Sequence, residues 1–260
     1  MNGSRLADEQ IVDTVIASSG RGATPFGLYV FPAGDPAARL ARRVEQDVFF
    51  EFFSNTAEDL EAEYAPYEPA SLFFCVLDHR RRIPVGVMRI ILPSPRGFKT
   101  FHDLESIWGR PLHRILDEDK VPLDTSRLWD VATLAVAAEY RGAAAKGLIS
   151  LALYQALCAL LVQNNIGWVI AVFDLIALDL FQSQMQRPFK GFPGLEPRAY
   201  LDSPASLPVY GDVADFKVRL AFTDPALYEL LMTGRGLEPA VSTPDWSRDL
   251  HHHDGISTTG

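Results

Sequence analysis

Cysteine is scarce in this chain: only two of the 260 residues are cysteines, and no Cys-x-x-Cys or Cys/His spacing suitable for zinc occurs. Cys75 and Cys158 each lie within an apolar stretch. We therefore expect two buried free thiols in a reducing compartment. Apolar surroundings raise a thiol pKa, which argues against either cysteine as a nucleophile. The sequence predicts no metal site.

Positive charge and long apolar runs are also lacking. The 24 Lys and Arg residues face 33 Asp and Glu, a formal charge of −9 that disfavours binding to nucleic acid. The longest apolar segment, 148–162, is shorter than the roughly 20 residues that span a bilayer. Residues 1–20 lack the continuous apolar core of a signal peptide. We expect a soluble, cytoplasmic protein with no membrane span.

Several sequence motifs of nucleotide-binding proteins and hydrolases are absent as well. The chain has no Walker motif, no Gly-x-Gly-x-x-Gly after a predicted strand, and no Gly-x-Ser-x-Gly elbow. These absences remove the usual grounds for predicting a nucleoside triphosphatase, a dinucleotide-dependent enzyme or a serine hydrolase.

The length and the 48 % hydrophobic content do allow a large packed core. No internal repeat and no long linker interrupt residues 23–234, so one domain is the simpler prediction. Residues 1–22 would form a partly flexible N-terminal segment. Residues 235–260, which include His251–His253, would form a flexible tail.

The periodicity predicts a helix over 36–53, a hairpin of strands 71–77 and 83–92, and a loop or broken helix at 54–69 that could cover a substrate pocket. Gly86 inside the second strand suggests a bulge or a close backbone approach. Further elements follow toward the C-terminus: a short helix 103–108, strand 128–137, a helix from 148, strand 168–173, helix 175–185, strands 198–201 and 215–222, and helix 225–233.

A turn rich in alanine and glycine, 138–147, connects strand 128–137 to the helix that follows. Strand, turn, helix and strand in this order predict a parallel pair of strands joined by a crossover. Small side chains in such a turn let a phosphate approach the backbone N–H groups at the helix N-terminus. Arg141 and Lys146 would add charge. Tight packing of the helix on the sheet is the alternative explanation of the small residues.

The stretch from Trp129 to Asp174 resembles motifs A and B of the Gcn5-related N-acetyltransferase superfamily: a strand ending Leu-Ala-Val, an Arg-Gly turn, a leucine-rich helix and a second strand. The phrase Trp-Asp-Val-Ala-Thr-Leu-Ala-Val, the large N-terminal part and a hairpin ending Gly-Val-Met-Arg-Ile are similar to acyl-homoserine-lactone synthases and N-acyl amino acid synthases. The resemblance implies an α/β (mixed α+β) fold with a central mixed twisted sheet, helices on both faces, and two splayed strands.

The resemblance also implies where a donor would bind. The pantetheine arm of an acyl thioester would lie in the splay against main-chain groups of Leu134, Ala135 and Val136. The pyrophosphate would be held by the turn residues Arg141, Gly142, Ala143, Ala144, Ala145, Lys146 and Gly147. Ala144 and Lys146 stand where the family pattern has glycine and a small residue. Lys146 would hold a phosphate of acyl-CoA, or point away while the acyl-phosphopantetheine of an acyl carrier protein binds.

The family pattern of catalytic residues is only partly present. Phe181 occupies the neighbourhood of the tyrosine that protonates the departing thiolate in many members. Asp130 matches an acidic residue that positions the acceptor in lactone synthases, with Thr133 in place of the basic residue three positions later. Asp130 would act as a base if burial raised its pKa, or would pair with an arginine such as Arg127 or Arg89. Glu139 is a second candidate base, with a solvated surface carboxylate as its alternative.

The function implied is an N-acyltransferase that moves an acyl group from acyl-CoA or acyl carrier protein to the amine of a small molecule. One alternative is a catalytically degenerate member that binds a thioester without turnover. Another is a protein or peptide N-acetyltransferase, for which the acidic run of Glu58, Asp59, Glu61 and Glu63 would have to line a groove.

Overall fold

The computed structural model describes residues 2–142 and 147–246. Within them the helices are α1 (Asn2–Ser19), α2 (Ala38–Phe53), α3 (Ala57–Tyr64), α4 (Lys99–Ser106), α5 (Leu112–Asp117), α6 (Leu148–Gln163), α7 (Leu175–Gln184), α8 (Val213–Thr223) and α9 (Pro225–Thr233). The strands are β1 (Phe26–Pro32), β2 (Ser71–Asp78), β3 (Ile83–Ile91), β4 (Leu128–Val136), β5 (Trp168–Asp174), β6 (Lys190–Gly191), β7 (Arg198–Tyr200), β8 (Ser203–Asp212) and β9 (Val241–Ser242).

All the strands belong to one mixed sheet of order β6-β8-β5-β4-β3-β2-β1-β9, with β7 paired to β8 beside this path. Strands β1 to β4 pair with one another in antiparallel order, whereas the pairs β4–β5 and β1–β9 are parallel. The predicted mixed sheet and the predicted parallel pair are thus confirmed. Among the described residues, no helix is long and apolar enough to cross a bilayer.

Helices cover both faces of the sheet, as the family resemblance implies. One face packs against α2 through side chains such as Leu40 and Phe73, and the other packs against α6 through side chains such as Phe74 and Leu153. Every residue of β2 is buried, because this strand lies in the sheet interior with a helix layer on each side. This arrangement explains why β2 appears in the sequence as an uninterrupted apolar run.

The predicted hairpin of β2 and β3 is confirmed, and Gly86 has both features expected of it. The pairing shifts beside Gly86, because Val76 lies opposite Gly86 whereas Leu77 lies opposite Pro84. A Cβ atom on Gly86 would lie 2.4 Å from Cγ2 of Ile149. Helix α6 therefore rests directly on the backbone of β3.

The sequence prediction was wrong for residues 215–222, which form part of α8 and not a strand. Phe216, Val218, Leu220 and Phe222 alternate with less apolar residues, a pattern typical of a strand. In the helix, Phe216 and Leu220 are buried one turn apart while the other two are exposed. The strand in this region is β8, whose two prolines obscure it in the sequence.

Residues 54–69 contain a helix, α3, where we predicted a loop or broken helix. The side chains and backbone N–H groups of Thr56 and Asp59 form a capping box, which stabilises the start of this short helix. The predicted short helix 103–108 overlaps α4, which begins earlier, at Lys99.

The described parts of the two segments predicted to flank the domain, 2–22 and 235–246, contact it. Val12 of α1 is fully buried against the α2 layer, and Leu237 and Val241 are buried near β1. The division of the chain into a domain at 23–234 and two flanking segments stays a prediction.

We expect Gly86→Ala to lower the free energy of unfolding by about 1–3 kcal/mol, because the new methyl group would overlap Ile149. Urea denaturation measures this. Gly34→Ala is the matched control, since a Cβ atom there meets nothing within 4 Å. In an Ile149→Ala background the same glycine substitution should cost less. An equal cost in both backgrounds would contradict the proposed overlap.

Candidate functional site

Strands β4 and β5 pair only over their first three residues. Leu128, Trp129 and Asp130 lie opposite Trp168, Val169 and Ile170, and no pairing follows, although β4 continues to Val136 and β5 to Asp174. The second half of β4 stays paired with β3 on its other edge. The sheet therefore opens between the second halves of two parallel strands. We call this opening the splay.

A bulge in β4 lies where the splay begins. Arg89 of β3 pairs with Thr133, but the next residue, Ile90, pairs with Val131, so Ala132 is the extra residue. The carbonyl of Ala132 accepts a hydrogen bond from the hydroxyl of Tyr64, at 3.3 Å. Bulges bend the strand that carries them, and this one coincides with the separation of β4 from β5.

A buried group of charged side chains supports the bulge from the α2 side. The guanidinium of Arg89 donates to both carboxylate oxygens of Glu45 and, at 2.7 Å, to Glu68. Thr133 donates to Glu45 at 2.6 Å. Although burial disfavours its charge, the neighbouring carboxylates raise the pKa of Arg89, which stays protonated. These contacts tie α2, β3 and β4 together beside the splay.

A second buried group of charged side chains also lies near Tyr64. Lys99 contacts Glu63 at 2.6 Å, Asp103 at 2.9 Å and the hydroxyl of Tyr200. The Arg89 guanidinium lies 4.2 Å from the centre of the Tyr64 ring, and the Lys99 ammonium lies 5.6 Å from it. Tyr200 belongs to β7, so this group connects α3 and α4 with the β5–β8 side of the splay.

From the sequence, Arg89 was considered only as a partner of Asp130, and Glu63 only as part of an acidic run. The other charged residues of the two groups, Glu45, Glu68, Lys99 and Asp103, were not identified as site residues. The sequence did contain a signal for these buried charges. Arg89 interrupts the apolar run of β3, and Glu45 lies beside Val44 among the buried residues of α2. A charge inside a buried pattern indicates a paired or functional group.

The turn from β4 to α6 is described only in part. Arg141 donates to the carbonyl of Val136 and to the Glu51 carboxylate at 3.1 Å, and its guanidinium lies 4.4 Å from the centre of the Phe52 ring. Gly142 and Gly147 have φ values of 67° and 69°, which glycine adopts readily. The predicted phosphate contacts Ala143, Ala144, Ala145 and Lys146 lie outside the described residues.

The predicted donor-binding residues of β4 lie along the splay. Leu134 and Val136 are half-buried on the α6 side, and Ala135 is buried on the α2 side. Across the splay, Asp174 of β5 caps α7 by accepting the N–H groups of Ile176 and Ala177. The structure thus brings the three β4 residues to one edge of the opening; their role in donor binding stays a prediction.

Glu139 is an exposed residue of the turn and forms an ion pair with Arg81 of the β2–β3 hairpin. Its environment is that of a solvated carboxylate, the alternative considered from the sequence. Within residues 2–142 and 147–246, no three His, Cys, Asp or Glu side chains come together in a way that would hold a metal ion.

Asp130 is fully buried, and both of its carboxylate oxygens accept hydrogen bonds from Thr100 at 2.8 Å, one from the N–H and one from the hydroxyl. Arg127 and Arg89, the partners considered from the sequence, bond elsewhere. Burial raises the pKa of Asp130 to about 6 against the opposing effect of these bonds. These contacts indicate that Asp130 anchors α4 to β4. A role of Asp130 as a base stays a prediction.

We expect Asp130→Asn to reveal this raised pKa in protein stability. The folded-state pKa of about 6 exceeds the ordinary value of 3.8, so the native state binds the proton more tightly than the unfolded state. Ionisation of Asp130 then costs stability as the pH rises from about 4 to 7. The free energy of unfolding of the wild type, minus that of the variant, should fall by roughly 1–3 kcal/mol across this range. Urea denaturation at several pH values measures it, and a constant difference would contradict the raised pKa.

Phe181, which the resemblance places in the neighbourhood of the family tyrosine, is buried in an aromatic cluster. Its ring centre lies 5.5 Å from Phe173, 5.4 Å from Phe189 and 4.7 Å from Tyr154. That the family's proton donor is missing from this chain stays a prediction.

Neither a protein-family model nor a curated protein matches this chain. Solved structures do. FeeM, an N-acyl amino acid synthase from uncultured soil microbes, is 15 % identical over 77 % of this chain and 97 % of its own, with a TM-score of 0.55. BjaI, a CoA-dependent acyl-homoserine lactone synthase solved with SAM and isopentyl-CoA, is 15 % identical over 85 % of this chain and 94 % of its own, with a TM-score of 0.52. The mixed sheet, the splay and these likenesses show that the chain has the fold of the Gcn5-related N-acetyltransferases.

Proposed function

We propose that this protein is an N-acyltransferase that moves an acyl group from an acyl thioester to the amine of a small molecule. The observation that carries the proposal is the splay: β4 and β5 separate after Asp130 and Ile170, next to a strand-to-helix turn. FeeM and BjaI, which share the fold, are both described as synthases of acylated small molecules.

The donor's pantetheine arm would lie in the splay, beside Leu134, Ala135 and Val136. Beyond Asp130, the β5-facing edge of β4 has peptide groups without a strand partner. Pantetheine carries two amide groups, which can form hydrogen bonds with these unpaired peptide groups as an added strand would.

The pyrophosphate or phosphate of the donor would bind at the turn 141–147, before α6. This helix is 16 residues long, and the partial positive charge at its N-terminus attracts an anion. Arg141 already contacts Glu51, so a phosphate would compete with that carboxylate. Acyl-CoA and the acyl-phosphopantetheine of a carrier protein both offer the required group.

The acceptor amine would approach from the α2–α3 side. Glu63 and Glu68 are partly exposed carboxylates attached to the two buried charged groups, and they would attract a protonated amine. The free amine then attacks the thioester carbonyl, whose oxygen a β4 N–H would polarise. The C–N bond forms, the C–S bond breaks, the amine loses a proton and the thiolate gains one. Asp130 and Glu139 stay the candidate bases.

Binding without turnover is the second candidate function. Phe181 favours it, because the family's usual proton donor to the thiolate is missing.

We expect calorimetry to detect binding of acetyl-, medium-chain or long-chain acyl-CoA, or of acyl carrier protein, and native mass spectrometry to detect a co-purified pantetheine species. No binding to any of these donors at millimolar concentration would contradict the donor assignment. Release of the free thiol in the presence of a panel of amines separates the two candidates: bound donor with no thiol release would favour the non-catalytic one.

Arg141→Ala should weaken binding of acyl-CoA by about 1–3 kcal/mol, or five- to 150-fold in Kd, the scale of a lost charge-assisted hydrogen bond. A carrier-protein donor should be affected less. Arg235→Ala, which removes a surface arginine paired with Glu229, is the control. Unchanged donor affinity in a folded Arg141→Ala variant would leave the turn with only a packing role.

A further inference from the structure

A hydrogen bond joins the connection between α2 and α3 to the turn between β7 and β8. Nδ2 of Asn55, in the α2–α3 connection, donates to the carboxylate of Asp202, in the β7–β8 turn, at 2.8 Å. The neighbours of each residue place this bond relative to the splay.

The α2–α3 connection begins beside the carboxyl end of β4. Glu51, in the last turn of α2, accepts from Arg141 at 3.1 Å. Arg141 also donates to the carbonyl of Val136, the last residue of β4. Asn55 follows Glu51 by four residues, so it belongs to the β4 side of the splay.

The β7–β8 turn lies beside the carboxyl end of β5. Ser203, the residue after Asp202, donates from its hydroxyl to the carboxylate of Asp174 at 2.7 Å. Asp174 is the last residue of β5. The bond from Asn55 to Asp202 therefore connects the two sides of the splay where its strands end.

Half-buried side chains line the splay on the same face as α2 and α3. Ala132 of β4 packs against the cluster that contains Ile170, and its carbonyl accepts from Tyr64 of α3. On β5, Ile170 belongs to this cluster whereas Ala171 faces α6, so Val172 points to the α2–α3 face. Val172 is half-buried there. A molecule that approached this part of the splay from the α2–α3 side would have to pass the bond described above.

Two features limit how firmly this bond is closed. Asn55 is 3 % exposed, and its Oδ1 is buried with no hydrogen-bond partner among the described residues. A buried acceptor left unpaired costs stability, which water would restore on opening. Leu201 and Asp202 have left-handed φ values of 45° and 60°, in a hairpin turn that prefers Asn and Gly. Opening of this bond therefore costs less than one hydrogen bond would suggest.

The two halves of the contact differ in how they are held. On the β7 side, the Tyr200 hydroxyl donates to Asp103 of α4 at 2.8 Å, and Nε1 of Trp108 donates to the carbonyl of Glu196 at 2.9 Å. These bonds fix the segment before the β7–β8 turn onto the α4 region. Opening would therefore move the α2–α3 connection, with Asn55, away from a fixed turn.

We propose that Asn55 and Asp202 form a gate that admits the acceptor amine to the splay and limits the size of the amine that enters. The identity of the admitted molecule rests on the proposed acyl transfer. The existence of the gate does not, because its opening can be measured without turnover.

Alkylation by N-ethylmaleimide of the thiol introduced by Val172→Cys, followed by mass spectrometry, measures access to the splay. Asn55→Ala removes the bond, and Asp202→Gly removes it while suiting the left-handed turn. Each should speed alkylation about tenfold, the scale of one lost hydrogen bond. The double variant should be no faster than either single one, because both break the same bond. Asp202→Asn, whose amide oxygen can still accept from Asn55, should keep the slow rate.

Asp13→Ala is the matched control, since it breaks an exposed contact between two other segments, the ion pair with Arg82. It should leave the alkylation rate unchanged. Cys158, buried on the α6 face, reports general loosening of the fold and should stay slow in every variant. Unchanged alkylation in folded Asn55→Ala and Asp202→Gly variants, or an equal rise at Cys158, would overturn the gate.

Acylation of phenethylamine and methylamine tests which molecule the gate admits. Asn55→Ala and Asp202→Gly should each raise kcat/KM for phenethylamine relative to methylamine about tenfold. An unchanged ratio, or a raised amine KM in Asp202→Asn with unchanged alkylation, would overturn the assignment to acceptor size. If the wild type binds donor but acylates no amine, the proposed function fails, and the alkylation rates still decide whether the gate exists.

Discussion

Beyond Asp130, β4 keeps its hydrogen bonds on one edge only, and the candidate site depends on this. Leu128 and Trp129 pair with β5, Asp130 pairs with both neighbouring strands, and beyond Asp130 the strand is paired with β3 alone. Unpaired peptide groups inside a sheet are costly unless water or a ligand satisfies them. The splay is therefore a polar slot between two apolar layers, and packing of the surrounding elements keeps β4 and β5 apart there.

Buried charges hold the slot in place. Arg89 and Lys99, both close to the Tyr64 ring, connect α2, α3 and α4 to the bulge. Such pairs contribute little net stability, because desolvation offsets their attraction, but removing one partner leaves the other charge buried. We infer that they specify geometry: a shifted register of β4 would separate Thr133 from Glu45.

The sequence predicted the parts of the fold whose signals are local. The apolar run of β2, the leucine-rich α6 and the Asp174 cap each follow from one short stretch. Residues 215–222 were assigned wrongly because apolar residues recur there at every second position, as in a strand. The same pattern contains the four-residue spacing of a helix. The buried charges were missed for another reason. Pairing of Glu45 with Arg89 joins residues far apart in the chain, and local periodicity cannot reveal the partner.

Hydrogen–deuterium exchange with and without acyl-CoA tests the central claim most directly. The peptide groups of residues 131–136 and 171–174 that face the splay have no strand partner there, so they should exchange quickly in the free protein. If the splay binds the pantetheine arm, these amides should become protected when donor is added, while those of β1 and β2 stay unchanged. Donor binding that leaves residues 131–136 and 171–174 unprotected would contradict the account.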